Sequence, residues 1–361
     1  MHPSSPAGPA AAILLGLMVA GCEPAALGPP ADVPLVRATV ETEPFPQEGD
    51  AADDPAIWVD RADPARSLIL GTQKKGGLYL YDLSGEVRQF LPAGRLNNVD
   101  LREDFAFPDA PAPLVAASNR TDNTVTLFRF DAGERLLRPD PVGRIETGFE
   151  EVYGVCLYRD PAGGTQVLAT SKIGELRHWR LETRADGTVA GTLARELTLG
   201  SITEGCAFDD ALGRLYVAEE TVGLWRLPAD PADPAPPELV DAVAPRGRIP
   251  ADAEGVTILA TGPESGYVLV SAQGESTYRA YRRTGENAYA GVFAIGGSAD
   301  HGTDGVTHTD GIDVHAGPLG PAFPDGIFIA QDDENTGPAE TQNFKFAPLG
   351  EILDILEPGA P

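Results

Sequence analysis

From about residue 50 onward, apolar residues fall into short runs broken by Gly, Pro, Asp and Asn, with no sustained 3.6-residue period. That pattern predicts β-strands joined by tight turns. One motif recurs: an acidic or amide residue leads into a short aliphatic strand, a turn, a second strand of apolar-apolar-x-small form, and a third strand holding an aromatic. It begins at Asp54 (Pro55-Ala56-Ile57-Trp58, then Leu68 to Gln73, Leu78 to Tyr81), at Asn98, at Val152, at Glu204, at Glu254 and at Asp310. The starts lie roughly 44 to 56 residues apart, a period that belongs to repeat folds. Units of three or four short strands at this spacing predict an all-β, six-bladed β-propeller. Leu35 to Thr42 alternates outside the repeats and is expected to complete the last blade and close the ring. Ala194 to Leu199 is a candidate fourth strand, Ala229 to Pro237 a Pro/Asp-rich loop, and Leu349 to Leu356 the single helical candidate.

The N-terminus reads differently. The apolar run Ala10 to Ala20 is shorter than the roughly 20 residues a membrane-spanning helix needs, and has the length of a signal-peptide core. It ends in Val19-Ala20-Gly21-Cys22, which resembles a bacterial lipobox, although no Lys or Arg precedes it. Residues 1–21 are therefore expected to be a lipoprotein signal peptide, Cys22 the lipidated residue and 22–34 a Pro/Ala-rich tether to a propeller domain at 35–361. The expected location is outside the cytoplasm, anchored at the outer membrane or in the periplasm; the alternative is plain secretion with Cys22 incidental. Cys156 and Cys206, each in an apolar strand, are expected to be buried free thiols rather than a bridge.

Charge narrows the chemistry. With 27 basic and 54 acidic residues the formal charge is −27, which repels nucleic acid and anionic lipid. The same carboxylates suit Ca²⁺, which takes six to eight oxygen ligands. In a propeller the first strand of each blade lines the channel, so Asp54, Asn98 with Asp100, Glu204, Glu254 and Asp310 should form a ring at one mouth. An acid ahead of a Gly is commonly only a turn former, but five in a ring repel one another unless a cation neutralises them. A second ring, at the ends of the second strands, changes sign around the circle. Lys74, Lys75, Arg120 and Lys172 form its basic half, and Glu219, Glu220, Gln273, Asp332 and Asp333 its acidic and amide half. Such a mouth suits a polyanion held between cationic side chains and calcium.

The residues that build this mouth resemble the β-propeller phytases. The matching stretches are Asp53-Asp54-Pro55-Ala56-Ile57-Trp58, Leu96-Asn97-Asn98-Val99-Asp100-Leu101-Arg102, Ala117-Ser118-Asn119-Arg120, Glu151-Val152-Tyr153-Gly154, Thr203-Glu204-Gly205, Thr309-Asp310-Gly311-Ile312-Asp313-Val314 and Gln342-Asn343-Phe344-Lys345. The resemblance implies a secreted, calcium-dependent 3-phytase-type phosphoric monoester hydrolase acting on phytate, myo-inositol hexakisphosphate, presented as its calcium complex to a monomer. It implies phosphate contacts from Lys74, Lys75, Arg120, Tyr153 and Lys172, with Lys74, Arg120, Tyr153, Lys172 and Glu204 at the reacting centre. It further implies calcium, or its bound water, at Glu41, Asp54, Asp100, Glu204, Glu219, Asp252, Glu254, Gln273 and Asp310. Ile173 stands after Lys172, where the family often carries an acid.

Two other classes compete. A calcium-dependent propeller lactonase has no use for four converging cations, and a non-catalytic propeller would bind sugar phosphates or partners without turnover. His301, His308 and His315 recur every seven residues in a Gly/Asp-rich loop, which is no spacing for a shared metal. Asp332-Asp333-Glu334-Asn335 lacks the Glu that ends an EF-hand loop. The phosphate-cradling Gly-x-x-x-x-Gly-Lys and the Gly-x-Ser-x-Gly elbow are both absent from the chain.

Overall fold

Each sequence unit forms one antiparallel sheet, and six sheets surround a channel in the computed structural model, which describes Met1, residues 28–336 and residues 339–358. The signal segment and Cys22 lie outside the described residues. Blade one comprises Ala52–Trp58, Leu68–Gln73, Gly77–Asp82 and Val87–Pro92. The innermost strands of the next five blades are Leu96–Phe105, Val152–Arg159, Thr203–Asp209, Ala253–Gly262 and Ile312–Ala316. Each innermost strand lies against that of the next blade, and Ile312–Ala316 returns to Ala52–Trp58.

The core is divided in the same way. Six clusters of buried residues each fill one blade-to-blade wedge, such as Trp58, Leu70, Leu101 and Phe128 between blades one and two. No blade can bury both faces alone, so the ring must close to be stable. The N-terminal segment closes it more firmly than expected. Leu35–Arg37 adds a parallel fifth strand to blade five, and Val40–Glu41 pairs with Asn343–Pro348 as the fourth strand of blade six. The helix falls at Leu349–Leu356 and packs Leu349, Ile352 and Leu356 into the wedge between those two blades.

The "small" residue of the repeat has a specific use. Ser118, Thr170 and Ser271 each accept a first-strand backbone N–H of their own blade and donate to a carbonyl of the next: Tyr153, Thr203 and Thr309. The Gly that follows the mouth-facing residue is explained by the same crowding. A Cβ on Gly154 or Gly205 would lie about 2 Å from the carbonyl oxygen of Glu204 or Glu254 on the neighbouring blade, so a side chain there would force the blades apart.

One expectation fails. Cys156 and Cys206 form a disulfide between the innermost strands of blades three and four. In the repeat, Cys156 stands two residues after Gly154 and Cys206 one after Gly205. Successive side chains alternate across a strand, so this one-residue offset turns the two cysteines toward each other.

Candidate functional site

Five first strands carry the same irregularity. Register shifts fall between Ala52 and Pro55, Leu96 and Val99, Val152 and Val155, Thr203 and Cys206, and Ala253 and Val256. Each is a β-bulge, which re-aims a side chain that strict alternation would place elsewhere. The residues it presents at the mouth are Asp53, Asn97, Tyr153, Glu204 and Glu254, joined by Asp310 from blade six.

This ring differs from the sequence expectation at two blades. Asp54 instead latches blade one to blade two, its Oδ2 accepting the Val99 N–H at 3.0 Å. Asp100 does the same one blade on, accepting the Leu157 N–H at 2.8 Å while pairing with Arg102 at 2.9 Å. With Asp313, which accepts the Ile57 N–H, they line an internal channel cavity of about 170 Å³ below the mouth. Burial holds Asp54 and Asp100 above the ordinary carboxylate range and Asp313 at about 7.

At the mouth, Lys74 Nζ lies 2.6 Å from Asp310 and Asp50 and 3.2 Å from the fully buried Asp53. Burial alone would lower its pKa, but the surrounding carboxylates outweigh this and raise it, so Lys74 is a permanent cation. Asp310 is pushed up to about 6 by burial, which Lys74 only partly offsets, and accepts from Gln273 at 2.5 Å. Asn97 joins the two halves of the mouth, donating to Glu204 at 2.6 Å and accepting from Arg120 at 3.1 Å. Arg120 and Lys172 stand over the Tyr153 ring at 5.8 and 4.6 Å, and both pair with Glu151. The Tyr153 hydroxyl is raised by Glu204, by burial, and by Glu254 and Asp53, so it remains a neutral donor. Lys75 lies on the rim, donating to the Glu48 carbonyl.

Opposite the cations, carboxylate oxygens of Glu204, Glu220 and Glu254 lie within 4.8 Å of one another. Burial and repulsion from Glu204 and Asp252 push Glu220 up to about 7, and burial with repulsion from Glu204, Glu220 and Asp310 raises Glu254. Glu254 Oε2 and Asp53 Oδ1 are buried without a hydrogen-bond partner, Asp53 Oδ2 being the oxygen that faces Lys74. Crowded, unsatisfied carboxylates of this kind fit a divalent hard cation, which would supply the missing charge. Glu219 is not part of the group. Its oxygens accept Gly200 N–H at 2.9 Å, Ser201 Oγ–H at 2.7 Å and Trp225 Nε1–H at 2.8 Å, which fixes the blade-four hairpin. Nor is Glu41, which lies 2.7 Å from Lys345 in a separate buried cage with Asp304, Asp332 and Asn335.

The structure thus brings together Lys74, Arg120, Tyr153, Lys172, Glu204, Glu254, Gln273 and Asp310, with Asp252 beside Glu220. It separates Glu41, Asp54, Asp100 and Glu219, adds Asp53, Asn97 and Glu151, and places Glu220 of the expected acidic half in the carboxylate cluster.

Comparison with known proteins follows the same outline. The chain is 40% identical over 328 residues to the 3-phytase of Bacillus subtilis (strain 168), covering 89% of this chain and 85% of that protein. Among solved structures, a calcium-binding regucalcin from Agrobacterium tumefaciens superposes with a TM-score of 0.54 at 12% identity, covering 87% and 97% of the two chains. A Bacteroides thetaiotaomicron protein of unknown function gives 0.56 at 11%, covering 86% and 73%. Those two share the propeller architecture alone. The phytase family model matches residues 8–359, and the chain belongs to the phytase family.

Proposed function

We propose that this protein hydrolyses the phosphomonoesters of phytate in a calcium-dependent reaction, releasing inorganic phosphate and lower inositol phosphates. The observation that carries this reading is the split mouth: the cations Lys74, Arg120 and Lys172 share it with the carboxylates Glu204, Glu220 and Glu254, Asn97 bridging Arg120 to Glu204 and Tyr153 lying beneath Arg120 and Lys172. Calcium held by Glu204, Glu220, Glu254 and neighbouring Asp53, Asp252, Gln273 or Asp310 would neutralise phosphoryl charge and provide activated water.

The chain's own groups do the rest. Arg120 and Lys172 bind phosphate oxygens by charge-assisted hydrogen bonds, and the flat Tyr153 ring beneath them fixes their height. Tyr153, kept protonated, donates a hydrogen bond to an oxygen and does not attack phosphorus. Lys74, held charged by its carboxylates, presents a fixed cation to the phosphoryl group being transferred. The same reading takes the protein to be an exported monomer, lipid-anchored through Cys22, that meets phytate as its calcium complex.

The test is phosphate release from phytate by protein beginning at Glu23, in millimolar calcium and in excess chelator. Release confined to calcium is expected, with Arg120→Ala lowering kcat/KM by roughly 10²-fold or more, as for loss of a charged transition-state contact. An Arg120→Ala variant with wild-type turnover would remove the proposal.

A further inference from the structure

Among the described residues, Glu151 pairs with the mouth's cations Arg120 and Lys172 while belonging neither to the carboxylate cluster nor to the Lys74 cage. It lies in the turn ahead of Val152–Arg159, two residues before Tyr153. Its single oxygen Oε1 accepts from Arg120 Nη2 and lies 3.5 Å from Lys172 Nζ. Its backbone carbonyl also accepts the Lys172 N–H at 3.4 Å, so main chain and side chain both tie it to the blade-three hairpin. Lys172 has no other carboxylate partner among the described residues. Arg120 has one further side-chain anchor, Asn97.

Two cations over one aromatic face repel each other. Lys172 is also about one-third exposed on a flexible stem, and beside the Tyr153 ring beneath it Glu151 is the group that keeps it from swinging sideways into solvent. We propose that Glu151 is a positioning residue: its one carboxylate oxygen clamps Arg120 and Lys172 side by side above Tyr153, so that a phosphate meets a preformed pair. This rests on the phytase reading of the site and adds to it the group that sets the geometry of the pair. Pairing with the two cations holds the Glu151 carboxyl below its ordinary range, so the clamp stays charged throughout the neutral region.

A carboxylate in this place has a second conceivable effect, that of an internal competitor for the substrate phosphate. The two differ in sign. A clamp lowers KM and a competitor raises it.

The experiment is steady-state kinetics on phytate, in saturating calcium, for the wild type, Glu151→Gln, Glu151→Asp, Lys172→Met and the Glu151→Gln/Lys172→Met double variant. If the clamp operates, Glu151→Gln raises KM by roughly tenfold with kcat within about twofold, the size expected for losing a charge-assisted contact used mainly in binding. Glu151→Asp recovers part of the loss, and the double variant is less than additive because the two residues act through one contact. Unchanged or lowered KM in Glu151→Gln, or full additivity in the double variant, would overturn the inference. Folding is followed by the melting temperature. If Glu151→Gln melts more than about 5 °C low, Glu151→Asp, which keeps the charge, decides: it must melt within that margin and still show a raised KM. Failure of the wider reading looks different, since the wild type itself would then release no phosphate from phytate in saturating calcium.

Discussion

At the residue scale, neighbouring acids in this chain have opposite jobs, and the strand pleat decides which. Asp53 faces the mouth while Asp54 latches the next blade; Glu220 joins the cluster while Glu219 caps its own hairpin. Glu219→Ala should therefore cost roughly 2–4 kcal/mol in denaturant unfolding, because three donors lose their acceptor in a buried place, and should leave the calcium response intact. Glu220→Gln should do the reverse. It relieves repulsion from Glu204 and Asp252, so in chelator it should melt no lower than wild type, and the calcium-induced rise in melting temperature should shrink. A Glu219→Ala variant of undiminished stability, or a Glu220→Gln variant with the full calcium response, would exchange these assignments. The residue types at the mouth were legible in the sequence, but their parity was not. A bulge reverses the alternation at Asp53-Asp54 and Asn97-Asn98, and Glu219 is the last residue of its strand, where alternation stops. Neither event leaves a compositional mark.

At the element scale, six strand triplets and the helix could be read because their apolar alternation is strong and Gly, Asp and Pro punctuate them. The outer strands were harder to see. Val189–Thr198 and Glu238–Ala242 are mostly half-buried or exposed, so their side chains carry little burial pattern. The disulfide leaves no mark in either apolar run taken alone, because the bond depends on the offset between the two runs. It joins Val152–Arg159 to Thr203–Asp209, the strands that carry Tyr153 and Glu204 at the mouth. The bridge spans a sequence separation of 50, so replacing both cysteines by Ala should cost roughly 2–4 kcal/mol in the midpoint analysis of denaturant unfolding. The reductant dithiothreitol should reproduce that loss in the wild type and have no effect on the double variant. Equal stability of the two proteins without reductant would show that the wedge of Tyr158, Leu168 and Phe208 already holds these blades without help.

At the scale of the whole molecule, the ring concentrates carboxylates along its own axis, and that makes stability depend jointly on pH and calcium. Asp53, Asp54 and Glu254 are held well above the ordinary range by burial, with Asp310 at about 6 and Glu220 and Asp313 at about 7. An acid whose folded pKa is raised binds more protons folded than unfolded, so stability falls as pH climbs from the unfolded value through the folded one. Buried His178, pushed down to about 3 by burial and by Arg195 and Arg180, acts oppositely below its unfolded value near 6.5. The informative window therefore lies from pH 6.5 to 8, where Glu220 and Asp313 lose their protons and His178 is already mostly neutral in both states. In excess chelator the melting temperature should fall across that window. In millimolar calcium the fall should be smaller or absent, because the cation binds only the folded, deprotonated cluster and adds RT ln(1 + [L]/Kd). The calcium-induced rise should thus grow with pH, and Asp313→Asn, deeper in the channel, should flatten the chelator curve without removing that rise. A chelator curve that climbs toward pH 8 would mean that the axial carboxylates are already compensated within the protein, and the metal would lose its structural reason.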